Sequence, residues 1–405
     1  MTGRSVLVVM ISTVVAGLSG LIILAVTARS LGASDYATFG VFWSAMFFVV
    51  AVLFGAQQES TRSVAQRTQD GGRTSLSLFA LILGLLAAVM VILASPAWQP
   101  SSIGWHRHLV LAVAFAALSY SMSGVLAGAL AGAGRWNAYA SMVIVEGIGR
   151  LLVLLLILAA SGGVGLLAWG AVIGYPMALL AGVIGLRRAG LSLRVDDPMS
   201  RLARSTVKTM VSAASIAALV NGFPLLMSTF ARGAAESSVG ALTLAVMLTR
   251  APLLIPLMAM QSPLITRFSA QGDHLSTAVL RLVAASVGVA GGLGVLASLI
   301  GPAVLGGFFG AEYELTGRTI GLLVLSSGFI GALSITSPAL IASNRHGSNV
   351  LGWIGAVLVT VGVLAVAPGT LEVRAPVALL AGPTLGVLVH MLAVVRTERV
   401  AAAQR

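Results

Sequence analysis

Apolar runs of some twenty residues recur along the chain, separated by short segments that hold nearly all of its charge. A helix rises 1.5 Å per residue, so about 20 apolar residues cross a hydrocarbon core of ~30 Å. The runs predict spans near 5–28, 37–56, 76–97, 109–133, 139–160 and 165–186, then near 208–230, 239–260, 277–300, 319–342, 349–367 and 375–395. They are continuous and do not alternate with period two, which argues against a transmembrane β-barrel. The first run follows Arg4 and extends over some 24 residues. A signal-peptide core has only roughly 7–15, so this run reads as a retained span. The expected fold is an all-α integral membrane protein of about twelve transmembrane helices.

Composition agrees and adds orientation. Of 405 residues, 58% are hydrophobic and 9% charged, against roughly 25% charged in a soluble domain. With no cysteine, thiol catalysis, disulfide scaffolds and Cys-zinc sites are excluded. A net charge of +12 would suggest a nucleic-acid partner on a soluble surface, but here the placement of the charges matters more. An even number of spans puts both termini on one side. That side holds sixteen of the 24 basic residues and the other side five, while Arg150, Arg250 and Arg281 fall within spans. The positive-inside rule then places the N- and C-termini in the cytoplasm, and no nucleic-acid partner is expected. Arginine outnumbers lysine 23 to 1 and Ala and Gly are abundant, which suggests a GC-rich bacterial genome, so the expected location is a bacterial plasma (inner) membrane, multi-pass.

The most polar internal stretch, Leu186 to Lys208, divides six spans from six. The expected organisation is an N-terminal six-helix lobe over 1–186, a basic cytoplasmic linker over 187–207, a C-terminal six-helix lobe over 208–395, and a tail over 396–405. Shifting the first half by about 202 positions lays its first span on the seventh. Gly32 and Asp35 then fall close to Gly233 and Glu236, and later spans drift by some eight residues. Because each half has an even number of spans, the copies share one orientation, as in parallel repeats.

The segment Leu31-Gly32-Ala33-Ser34-Asp35-Tyr36-Ala37-Thr38-Phe39, followed by a span and then Arg62 and Arg67, resembles the opening of polysaccharide-export proteins. Ala131-Gly132-Ala133-Gly134-Arg135 is similar to that family's turn into the fifth span, and Gln261-Ser262-Pro263-Leu264-Ile265-Thr266-Arg267-Phe268 to its exit from the eighth. Ala33 stands where proline is common and Ala37 where glycine is common, and two C-terminal spans of many members are missing. The family belongs to the multidrug/oligosaccharidyl-lipid/polysaccharide (MOP) superfamily. The resemblance implies a MATE-like fold and a flippase for a polyprenyl-linked glycan, partnered by the bilayer and by glycosyltransferases or a polymerase of the same pathway. Within the first motif, Gly32 can end one helix in the left-handed conformation, and Ser34 with Asp35 can cap the next.

Charges inside a bilayer are costly and mark functional candidates. Glu146 and Arg150 lie four apart in the fifth span, acid first, and can pair on one helix face. The pair is read either as a self-neutralising structural bridge or as an ion-coupling acid with a substrate-binding partner. Arg250 in the eighth span has no acid within a helical turn, and a guanidinium there can grip a phosphate oxygen of the substrate. A fixed ion pair, or snorkelling toward water, is the alternative. Asn221 is a second candidate ion ligand, and Pro224, Pro252 and Pro256 are candidate hinges, since each removes a backbone hydrogen bond. Glu59, Arg62, Arg67 and Arg267 at cytoplasmic span ends are gate or headgroup residues. His106 and His108 near Trp98 and Trp105 read as an interfacial belt and lack a third metal ligand, so no metal is expected.

No Walker loop, His-Glu-x-x-His or Gly-x-Ser-x-Gly motif occurs, so the expectation is a transporter with no cofactor and no enzymatic activity. The competing readings are a small-molecule exporter on the same fold, a membrane glycosyltransferase, or a scaffold of envelope polysaccharide synthesis.

Overall fold

The computed structural model describes residues 3–67, 72–98, 107–231, 233–259, 264, 268, 275–343 and 345–403. Arg267, Trp105 and His106 lie outside the described residues. The chain begins with α1 (Gly3–Ala65), α2 (Leu76–Trp98), α3 (Arg107–Gly132), α4 (Trp136–Ala159), α5 (Val164–Val172) and α6 (Gly174–Ala189). It continues with α7 (Met199–Val220), α8 (Phe223–Thr229), α9 (Glu236–Ala259), α10 (Leu275–Phe309), α11 (Gly317–Ala342), α12 (His346–Val366) and α13 (Leu371–Ala403). Two short strands, β1 (Thr74–Ser75) and β2 (Arg194–Val195), form one antiparallel pair.

The burial pattern is that of a protein dissolved in lipid. Leu156, Leu299, Val366 and Leu392 are 70–82% exposed, while Thr336, Ser326 and His390 are fully buried. Water-soluble proteins do the reverse, and helices satisfy their own backbone polar groups, as hydrocarbon requires. Among the described residues, nine helices are long and apolar enough to cross a membrane, or ten if the bent pair α7–α8 is one span. The first is two spans in one, because α1 has 63 residues and is interrupted at Gly32 (φ 72°, ψ 166°). A straight helix of that length would reach about 95 Å. With α9, the order follows the twelve apolar runs.

The chain forms two compact units. The first comprises Met1–Leu31, Thr38–Ala217 and Asn221–Leu225, and the second Gly32–Ala37, Ala218–Val220 and Leu226–Arg405. In the first unit α3 is the central helix, packed against α2, α5 and α6. In the second, α11 has the same place, against α10, α9 and α13. Both helices have 26 residues, and in each 78% of the most apolar window is buried.

The basic stretch after α6 is folded onto the first unit. Gly190 ends α6 in the left-handed conformation (φ 61°), β2 pairs with β1, and Val195 and Leu202 are buried with Ala56, Val64, Leu76 and Phe79. Close packing between α1 and α3 depends on small residues. A Cβ at Gly128 would fall against the carbonyl oxygen of Gln57, and one at Gly132 against that of Thr61. Neither contact can yield, since both neighbours are backbone. Gly128→Leu should therefore destabilise the first unit by about 3 kcal/mol, read as loss of folded protein in detergent by fluorescence-detected size exclusion. Wild-type yield and melting would contradict this packing.

Candidate functional site

Among the described residues, each unit buries one arginine beside the end of a helix. In the first unit Arg150 is 5% exposed. Its Nη2 donates to Glu146 Oε1 at 3.0 Å, and its Nε donates to the carbonyl of Ala171 at 2.7 Å. Ala171 lies at the end of α5, where the last helical carbonyls lack intrahelical partners. Glycine at 174 permits this approach, because a Cβ there would meet Arg150 Nε at 3.2 Å. The guanidinium carbon stands 4.7 Å from the ring centroid of Tyr175, 5.3 Å from that of Phe47 and 5.9 Å from that of Trp43. The electron-rich faces of such rings attract a cation, and more strongly once water is excluded.

Glu146 faces a different environment, with its side chain 27% exposed. It lines a cavity of about 180 Å³ together with Gln57, Tyr120, Ser123 and Tyr139. Tyr120 donates to Gln57 Oε1 at 3.2 Å. One carboxylate, one amide oxygen and two phenols thus surround a space inside the first unit. Such an oxygen-rich set can hold a proton or a small cation. Gln57, Tyr120, Tyr139 and Tyr175 were not singled out by sequence. The available signal was that three of only five tyrosines fall in spans flanking Glu146.

In the second unit Arg250 is 6% exposed. Its Nη1 donates to the carbonyls of Leu219 at 2.7 Å and Val220 at 3.0 Å, the last two residues of α7. The seventh span breaks there, with α7 and α8 meeting at a 67° bend. Pro224 sits in the first turn of α8, where its missing N–H costs nothing. A positive charge at a helix C-terminus is also favoured by the helix dipole. Asn221 caps α7 through its backbone, donating to Ala217 O at 2.8 Å, and its own carbonyl accepts from Ser44 Oγ. Pro252 and Pro256 lie within α9, which runs without interruption from Glu236 to Ala259. The side chains of both prolines lie outside the described residues.

Glu59, Arg62 and Arg67 are tied to the stretch after α6. Glu59 is 4% exposed and accepts from Arg62 Nε at 3.1 Å, and Arg62 Nη2 reaches Asp197 at 3.2 Å. Asp197 also pairs with Arg201 at 3.5 Å, and Arg67 donates to Ser192 O at 3.0 Å. Ser34, expected as a helix cap, instead donates to Glu236 Oε2 at 2.9 Å. Among the described residues, no group of three or more His, Asp or Glu side chains is placed to hold a metal ion. A further polar centre, not anticipated from the sequence, is His390, fully buried with Nδ1 at 2.7 Å from Thr336 Oγ1 and Nε2 at 2.9 Å from Asn349 O.

Twelve apolar runs gathered into two helical units describe a multi-pass integral membrane protein. Residues 2–270 match the polysaccharide biosynthesis protein family, and the chain belongs to that family. Its curated relatives include the uncharacterized protein Mb3654 of Mycobacterium bovis, 31% identical over 96% of this chain and 91% of the relative. The uncharacterized protein Rv1510 of Mycobacterium tuberculosis is 32% identical over 91% and 86% of the two chains. Solved transporters of low sequence identity share the fold. An inward-facing multidrug-resistance MATE transporter superposes with a TM-score of 0.71 at 17% identity, covering 98% of this chain and 96% of that one. The lipid II flippase MurJ, in an inward closed conformation, gives 0.72 at 12% identity, covering 96% and 87%.

Proposed function

We propose that the protein moves a lipid-linked oligosaccharide or polysaccharide precursor from the cytoplasmic to the outer leaflet of a bacterial plasma membrane. Membership in the polysaccharide biosynthesis family carries this reading. The fold likeness to MurJ, which is named as a lipid II flippase, supports it. In this reading both termini are cytoplasmic, the glycan crosses while its polyprenyl tail stays in the bilayer, and the units alternate access to the two sides. Glu146 is the coupling acid, since its carboxylate opens on an oxygen-lined cavity while Arg150 holds one of its oxygens. Asn221 and Pro224 act at the α7–α8 break as a hinge, with Arg250 as its clamp and as a contact for a substrate phosphate. Glu59, Arg62 and Arg67 secure the cytoplasmic end of α1.

Depleting the protein in its host should strand lipid-linked oligosaccharide in the inner leaflet, measured with an enzyme or lectin that reaches only the outer one. Undiminished outer-leaflet delivery would overturn the proposal. The likeness to a multidrug-resistance MATE transporter favours a second reading, export of small amphipathic compounds. That reading expects undisturbed glycan delivery together with sensitivity to such compounds.

A further inference from the structure

Two open cavities lie at the termini-side ends of the two units, and Glu146, Arg150 and Arg250 are not among their described lining residues. In the first unit a cavity of about 530 Å³ opens where α4 begins and α6 ends, lined by Arg135, Trp136, Ala138, Ile184, Gly185 and Arg188 among others. In the second unit a cavity of about 560 Å³ opens where α12 begins and α13 approaches the C-terminus, lined by Arg345, Ser348, Leu392, Ala393 and Arg396.

Every described lining residue of the second cavity has a counterpart in the first. Arg345 and Ser348 stand 210 positions after Arg135 and Ala138, and Leu392, Ala393 and Arg396 stand 208 after Ile184, Gly185 and Arg188. The turns agree as well. Arg135 N donates to Leu130 O and Arg345 N to Leu340 O, each at 2.8 Å, and the carbonyls of Arg135 and Arg345 accept from Tyr139 N and Asn349 N, each at 3.1 Å. Neither turn arginine uses its side chain to cap the helix it starts.

The four guanidinium groups are exposed, and among the described residues none makes an ion pair or a hydrogen bond. The nearest acid in sequence to Arg396, Glu398, is engaged by the backbone N–H of Ser276 at 2.6 Å. Each pair of arginines also borders an exposed apolar side chain, Ile184 at 52% and Leu392 at 70%. An anion that brings its own hydrocarbon satisfies both features at once. A soluble phosphate satisfies only the first. Basic pockets between helices at a cytoplasmic surface are suited to anionic headgroups, and guanidinium forks match phosphate geometry.

We propose that each unit carries one binding site for the phosphate of an anionic membrane phospholipid, built by Arg135 and Arg188 in the first and by Arg345 and Arg396 in the second. The sites serve to anchor each unit in its leaflet and stand apart from the transported substrate. The test uses the full-length protein in detergent, native mass spectrometry and added phosphatidylglycerol, with phosphatidylcholine and inorganic phosphate as separate arms. The wild type should retain two phosphatidylglycerol molecules, R135Q/R188Q and R345Q/R396Q one each, and the fourfold variant none. Phosphatidylcholine should be retained at least tenfold less. Phosphatidylglycerol should raise the melting midpoint of the wild type and leave that of the fourfold variant unmoved, as expected when a ligand binds only the folded state. Should the fourfold variant fail to fold, loss of one lipid from each double variant carries the same information. Unchanged retention in the double variants would overturn the proposal. Equal stabilisation by inorganic phosphate would overturn the lipid assignment in favour of a soluble phosphate site.

Discussion

Arg250→Ala is expected to abolish glycan transport at normal protein levels and to lower the melting midpoint by several degrees. The guanidinium serves two carbonyls at the end of α7, at 2.7 and 3.0 Å, and charged hydrogen bonds contribute roughly 1.5–3 kcal/mol each. Alanine removes the side-chain donor from the carbonyls of Leu219 and Val220, which no further α7 turn follows. Lysine places one charge near the same carbonyls but lacks the planar fork. Arg250→Lys should therefore recover most of the stability while transport stays below about a tenth of wild type, on the proposed role as a phosphate contact. The two readouts separate clamp from contact: stability recovered together with transport assigns Arg250 to the helix break alone. Wild-type transport and melting in the alanine variant would remove it from both roles.

Span order was legible because hydropathy is a local property, read over about twenty residues at a time. The break of the seventh span was visible as Pro224, but its clamp was not, since Arg250 reaches Leu219 across 31 positions. The stretch after α6 reads in sequence as a basic cytoplasmic linker. Its anchoring depends on pairing of Thr74–Ser75 with Arg194–Val195 and on Asp197 meeting Arg62 across 135 positions. Neither contact leaves a local trace. Glu146 and Arg150 were visible as a pair because a four-residue spacing suffices to bring them together. The aromatic faces around Arg150 and the cavity beside Glu146 come from α1, α3 and α6. In an apolar helix a tyrosine that lines a cavity looks the same as one that fills a core. His390 went unnoticed for a similar reason, as its partners Thr336 and Asn349 lie 54 and 41 positions away.

Glu146 and Arg150 can be told apart from a merely structural bridge by removing them singly and together. Glu146→Ala strands a guanidinium that is 5% exposed, and breaking a buried pair from one side costs about 3–5 kcal/mol. The loss is softened by Ala171 O and the ring of Tyr175, which continue to hold the cation. Arg150→Met costs less, because the Glu146 carboxylate opens on a cavity and is itself 27% exposed. The double variant Glu146→Gln/Arg150→Met leaves no buried charge and fills the aromatic cage with a side chain that packs well against rings. Its melting midpoint should return close to that of wild type. Transport should not return with it, because the coupling proton or cation has lost its carboxylate; below about a tenth of wild-type outer-leaflet delivery is expected. A double variant that melts and transports like the wild type would show that the charges serve only to neutralise each other. The single variants could not show this, since a misfolded transporter and an uncoupled one are equally inactive.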